Sequence, residues 1–313
     1  MTAPRGGPVT VASIHEPVMG TYLQLQITAR TEAEAAAAEA TILREAARLE
    51  AAFTRFDADS DLSRWRTGRA EAPAPEVAAL LALAASWHAR SGGAFHPATA
   101  ALTERWQRAV VEGVEPADDE LRTLVAANAL LPFAVHDDGS IEHLGECTDV
   151  DVHALAKGHV VDLIAAAALD AHELDRLVVN AGGDLLHRGA GVLRVGIEDP
   201  HRAYDNVPPM LRIEVADRAV ATSGSARRWF AIGDERASRV LDPRTGRPVH
   251  HASSATVVAD DAATADVLAT ICTVVAPAEA VELVGSLEAA AECLVIERDG
   301  TEHRSPGWSA LEV

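Results

Sequence analysis

The chain contains a single lysine. Every other basic side chain among its 313 residues is arginine or histidine, and Lys157 stands alone beside Gly158. Positive charge as a whole is scarce, with 27 Lys and Arg against 47 Asp and Glu, a formal charge of −20. That balance argues against a nucleic-acid partner, because neutralising phosphates needs a basic surface. It is equally poor for an anionic membrane surface. An anionic ligand must then be held by local cations or by a metal. Cysteine is sparse too. Cys147, Cys272 and Cys293 cannot complete a disulfide framework and lack metal-ligand spacing. Cys272 and Cys293 sit in apolar runs and read as small core residues.

Other absences narrow the field. No stretch of about 18 apolar residues occurs, so no membrane-inserted helix is expected. Residues 1–20 have neither a continuous apolar segment nor an early cysteine for a lipid anchor, which reads as a cytoplasmic protein. The thirteen histidines show no HExxH spacing, so a zinc site is not expected. The dinucleotide glycine fingerprint, the Walker loop and the G-x-S-x-G elbow are all missing.

What remains is a chain with 48% hydrophobic residues, enough for a sizeable core. No repeat and no Pro/Ser-rich linker divides it, so the expectation is a loose segment over 1–8 and one α+β domain over 9–313. Thr31 with Glu34 predicts a capped helix to about Phe53. Residues 56–66 read as a polar loop. Helices are expected from Pro75, over 101–111, 117–127, 262–275 and 277–286. Strands are expected around 22–27, 177–179, 193–197, 211–215, 218–222, 229–232, 239–241, 254–259 and 291–297. A hairpin is expected over 133–144.

The stretch from Asp149 to Asp184 is the most informative. Lys157 follows apolar Val150, Val152 and Leu155 and opens a helix-like run to Leu169. Two readings stand: an ordinary exposed lysine, or a cation that joins helix N-terminal amides in holding a phosphate. Asn180-Ala181-Gly182-Gly183-Asp184 ends a short strand. Its glycines serve either a plain bend or a close approach by another group. Further on, Asp266 and Thr270 lie four apart on one helix face. They suit a hard cation such as Mg²⁺, or else a dipole contact and a back-bonded hydroxyl.

Taken together, eight short motifs resemble the ApbE-type FAD:protein FMN transferases over nearly the whole chain. They are Met19-Gly20-Thr21, Asp59 to Arg64, Gly93-Ala94-Phe95-His96-Pro97, Asp151 to Asp162, Asn180 to Asp184, Thr222-Ser223-Gly224, Asp242 to Gly246 and Ala265 to Thr270. The resemblance implies a T-fold-like α+β domain with mixed or antiparallel sheets and flanking helices. It implies Mg²⁺-dependent transfer of FMN from FAD to a Ser or Thr hydroxyl of an acceptor flavoprotein, with release of AMP. By the same resemblance Mg²⁺ would be held by the carbonyls of Ala154 and Ala269, the Asp266 carboxylate and the Thr270 hydroxyl. FAD would contact Met19, Phe56, Ala94, Phe95, His96, Asp151, Lys157 and the backbone of Val240.

The chain also departs from the family's pattern. Arg239 stands where the family has a histidine that assists the acceptor hydroxyl, and arginine cannot act as a base at ordinary pH. Arg239 would instead stabilise charge on the transferring phosphate, with Asp266 as the second catalytic residue. His96 replaces an aspartate, His153 replaces a glycine, and the asparagine expected near Trp65 and Arg66 is missing. Two alternatives therefore stay open: hydrolysis of FAD to AMP and FMN, or FAD binding without transfer.

Overall fold

Chain order and strand order coincide across the main sheet. Its eight strands are β1 (Val9–Val18), β2 (Thr21–Ala29), β3 (Arg176–Ala181), β4 (Asp184–Gly189), β5 (Ala219–Gly224), β6 (Ala252–Ala259), β7 (Glu292–Glu297) and β8 (Glu302–Arg304). Every neighbouring pair is antiparallel. The computed structural model describes residues 7–145, 148–204, 206–225, 229–232, 235–287 and 290–313. Cys147 and most of the segment expected to be loose fall outside them, while Cys272 and Cys293 are fully buried and unbridged.

The helices enter as two insertions between strands. Six separate β2 from β3: α1 (Glu32–Phe53), α2 (Asp61–Arg66), α3 (Pro75–Arg90), α4 (Ala100–Glu112), α5 (Asp118–Ala127) and α6 (His153–Ala171). Two separate β6 from β7: α7 (Ala262–Val274) and α8 (Pro277–Ser286). Among the described residues no helix is long and apolar enough to cross a membrane.

Side-chain alternation assigns the two faces of the sheet. Ile42 and Leu49 of α1, Val161 and Ile164 of α6, and Leu268 and Ile271 of α7 pack with Leu23, Leu25, Val179 and Val257. Val220, Val258, Leu294 and Ile296 point the other way, against the Leu193–Ile197/Leu211–Val215 hairpin and Trp308. Successive residues of a strand face opposite sides, and β6, covered on both, is buried along its whole length. A third cluster joins Trp106 and Leu121 to Phe230, Ile232 and Ala237 of the Trp229–Ile232/Glu235–Ser238 hairpin.

Most expected elements are present, and the differences have local causes. Residues 56–66 are not loop throughout. The Ser60 hydroxyl accepts the Ser63 amide at 3.0 Å, and α2 follows with Leu62 and Trp65 buried. The strand expected over 239–241 reduces to Leu241–Asp242. The Val240 amide donates to Ser238 Oγ at 3.0 Å, a local bond that turns the chain out of the ladder. At α1 only half of the capping box forms. Thr31 accepts the Glu34 amide at 3.2 Å, while the Glu34 carboxylate accepts from Arg30.

Candidate active site

Two tight turns meet at one end of the sheet. Met19 and Gly20, with φ of 51° and 70°, join β1 to β2, the conformation a two-residue hairpin of this type requires. Gly182 and Gly183, at 59° and 107°, join β3 to β4. A Cβ on Gly182 would lie 2.5 Å from Thr21 Oγ1, so the second turn presses against the first. Asn180 Oδ1 accepts the Gly183 amide at 2.9 Å. The paired glycines therefore serve close approach, and they deliver Asp184, 3% exposed, at the start of β4.

Lys157 lies in the second turn of α6. Its ammonium donates to Asp184 Oδ2 and stands 3.4 Å from both carboxylate oxygens of Asp266 on α7. Asp266 is 4% exposed and also accepts the Gly158 amide at 3.1 Å. In a regular helix that amide's acceptor is the Ala154 carbonyl. Burial, then repulsion from Asp184, pushes the Asp266 carboxyl up to about 7, against the pull of Lys157 and the Gly158 amide. Burial works against the Lys157 ammonium as well, but Asp266 and Asp184 outweigh it and hold its pKa above the ordinary lysine value. Lys157 is thus no free surface cation. It is held between two buried carboxylates.

Thr270 follows one turn after Asp266, and its hydroxyl lies 3.0 Å from Ser223 Oγ on β5. That contact replaces the back-bonded alternative and joins two sequence motifs. The back-bond occurs instead at Thr273, whose hydroxyl donates to the Ala269 carbonyl at 2.8 Å.

The donor set is compatible with a hard cation. Two buried carboxylates share one ammonium, which leaves uncompensated negative charge where charge is costly. A carboxylate and a neighbouring hydroxyl are oxygen ligands of the required kind. Among the described residues no group of three or more His, Cys, Asp or Glu side chains could hold a metal.

A second group of expected residues gathers at the start of α6. Asp151 accepts from the backbone amide and ring of His153 and pairs with Arg55 at 3.4 Å. Burial works to raise its pKa, but the His153 hydrogen bonds and Arg55 outweigh that and hold it low. Phe56, 78% exposed, lies 5.7 Å from the His153 ring. The Asp151 amide donates to the Pro97 carbonyl, so the buried Ala94-Phe95-His96 turn adjoins this group. Burial and then His88 push His96 down to about 4, leaving a neutral ring whose Nδ1 accepts the Ala98 amide.

The Asp242–Gly246 turn approaches the same region from the far side. A Cβ on Gly93 would lie 3.8 Å from Arg244, and Trp106 Nε1 donates to the Gly246 carbonyl at 2.7 Å. Arg239 is exposed, its guanidinium 5.5 Å from the Phe230 ring, while Val240 packs on the main core. Among the described residues no ion pair joins Arg239 to Asp266 or Asp184. The Val240 carbonyl accepts the Val249 amide at 2.9 Å.

Asp184 and Ser223 were not singled out from sequence. Asp184 had one available signal, a lone acid ending a glycine turn in the same stretch as the lone lysine. Ser223 had only its motif.

Known proteins resemble this chain along most of its length. The model of the ApbE family matches residues 19–295. A FAD:protein FMN transferase of Treponema pallidum (strain Nichols) is 29% identical over 280 residues, 82% of this chain and 76% of that protein. One of Rhodobacter capsulatus is 30% identical over 261 residues, 81% of this chain but 49% of the relative, so the chain spans about half that relative's length. The crystal structure of the ApbE protein of Thermotoga maritima superposes with a TM-score of 0.83 at 23% identity, covering 98% of this chain and 99% of that one. The flavin transferase ApbE of Vibrio cholerae gives 0.81 at 23%, covering 97% and 99%. At that identity the two structures speak for the fold.

Proposed function

This chain belongs to the ApbE family, and from that premise we propose that it transfers FMN from FAD to a Ser or Thr hydroxyl of an acceptor flavoprotein, with Mg²⁺ required. The observation that carries the reading is the buried Lys157–Asp184–Asp266 cluster beside Thr270. The acceptor oxygen bonds to the FMN phosphorus, the P–O bond to AMP breaks, AMP leaves and the hydroxyl proton passes to solvent. Mg²⁺, when bound, supplies Lewis-acid stabilisation of the charge that grows on the phosphates.

The chain's own residues hold and orient. Asp266 and Thr270 hold the ion with the carbonyls of Ala154 and Ala269. The Ala269 carbonyl is shared with the Thr273 hydroxyl. Lys157, fixed by Asp184, offers a cation that needs no reorganisation during reaction. Exposed Phe56 offers a flat face for a planar ring of FAD. Met19, the Ala94-Phe95-His96 turn, Asp151 and Val240 line the remainder of the FAD site. Arg239 stabilises charge on the transferring phosphate.

A second reading, hydrolysis of FAD to AMP and FMN, is favoured by Arg239 alone, because arginine cannot accept the acceptor's proton. One experiment separates the two. The protein is incubated with FAD, Mg²⁺ and a flavoprotein carrying an acceptor Ser or Thr. In-gel flavin fluorescence and AMP are then measured together. A fluorescent acceptor band with equimolar AMP is expected. AMP with free FMN and no band selects hydrolysis, and bound but intact FAD rejects both.

A further inference from the structure

One residue past β5, a separate cavity of about 220 Å³ opens beside Ser225. Its floor is small and buried, with Ser238 and Ser253 as the polar groups. Its rim carries Arg236, Arg298, His201 and His250, all exposed. Among the described residues no Asp or Glu lines it, although the chain as a whole carries a formal charge of −20. The described lining therefore carries charge opposite to that of the average surface.

The rim is also partly rigid. The Arg236 guanidinium stacks 4.2 Å from the ring of Trp229, an arrangement that fixes the fork's orientation. Ser238 Oγ accepts the Val240 amide at 3.0 Å, which leaves its proton to donate elsewhere. None of the residues assigned above to FAD or metal lines the cavity. Its volume lies below the ~300–1,000 Å³ of sites for drug-sized ligands, so it suits one small group and not a dinucleotide.

We propose that this cup binds a compact anion, a carboxylate or phosphate group, held by Arg236 and Arg298 with the Ser238 hydroxyl as donor. Guanidinium forks match the paired oxygens of both anions. This site stands independently of the flavin chemistry.

The five tryptophans supply the test. Trp65, Trp87, Trp106 and Trp308 are at most 2% exposed, whereas Trp229 is 37% exposed at the rim. Collisional quenching therefore reports Trp229. At equal ionic strength the ratio of iodide to caesium quenching is expected to be about threefold higher than for free N-acetyltryptophanamide, against the sign of the net charge. Inorganic phosphate or N-acetylaspartate amide is expected to protect. Protection by phosphate alone assigns a phosphate ligand, and protection by the aspartate amide assigns a carboxylate. The double variant Arg236→Gln/Arg298→Gln should lose the iodide preference and the protection. A ratio no higher than that of N-acetyltryptophanamide in the unmodified protein, or no protection by either probe, would overturn the proposal.

Discussion

A Cβ on Gly158 would lie 2.2 Å from the carbonyl oxygen of Ala262, so α6 and α7 meet there backbone to backbone. The same close approach lets the Gly158 amide reach Asp266 at 3.1 Å. Gly158→Ala must push the helices apart, because backbone cannot swing aside as a side chain can. The expected loss is about 1–3 kcal/mol, the usual range for overpacking, read as a lower urea midpoint. A midpoint equal to that of the unmodified protein would show that the helices yield freely.

Asp162 ties the same two helices one turn further on. Its oxygens accept the Ala262 and Ala263 amides at 2.8 Å each. Burial, opposed by those two amides, pushes its pKa up to about 6 from 3.8. Between those values the folded state binds more proton than the unfolded state, so stability falls as pH rises through about 4 to 6 and levels above. Asp162→Asn removes that slope. The unmodified protein should lose on the order of 1 kcal/mol relative to the variant across the window. Chemical denaturation at pH 4, 5, 6 and 7 measures it, and parallel curves would contradict the assignment.

Asp266→Asn keeps the shape of the proposed metal ligand but removes its charge. Lys157 retains Asp184, so the fold should hold. Mg²⁺ should raise the melting temperature of the unmodified protein and leave that of the variant unchanged. Equal Mg²⁺ shifts for both proteins would move the ion elsewhere.

Lys157 separates charge from shape. Lys157→Met leaves Asp184 buried beside Asp266 without a counter-ion, a change worth about 3–5 kcal/mol. Lys157→Arg keeps the charge but not the compact ammonium, and should weaken FAD about tenfold, roughly 1.4 kcal/mol. Calorimetry with FAD and Mg²⁺ reads the second effect. An unaltered dissociation constant would return Lys157 to a purely structural role.

Arg239→His places an imidazole where the chain now has a cation that cannot take up a proton. Transfer to an acceptor hydroxyl should rise relative to release of free FMN. A product ratio unmoved by the change would remove position 239 from the reaction.

Where a signal was local, it could be read along the chain. The Thr31 cap, the apolar runs of α7 and α8 and the two-residue turn at Gly182-Gly183 are each written within a few neighbouring residues. Elements that lean on distant partners were less visible. β1 has no fully buried residue and alternates only between half-buried and exposed positions, so its pattern is faint. β4 begins with a charged residue whose burial depends on α6. In α2, Leu62 and Trp65 are buried by packing that a short polar sequence does not announce.

Composition, capping and turn chemistry determined by themselves that this chain would combine strands and helices around an apolar core, with one lysine beside a helical run, although that helix begins at His153 and takes Lys157 into its second turn. They also placed Asp266 and Thr270 on one helix face. That Lys157 would be shared by Asp184 and Asp266, 27 and 109 residues away, was decided only by tertiary structure. Spacing along a helix or strand reaches a few residues. A buried ion cluster is set by which helices can touch, and here they touch because position 158 has no side chain.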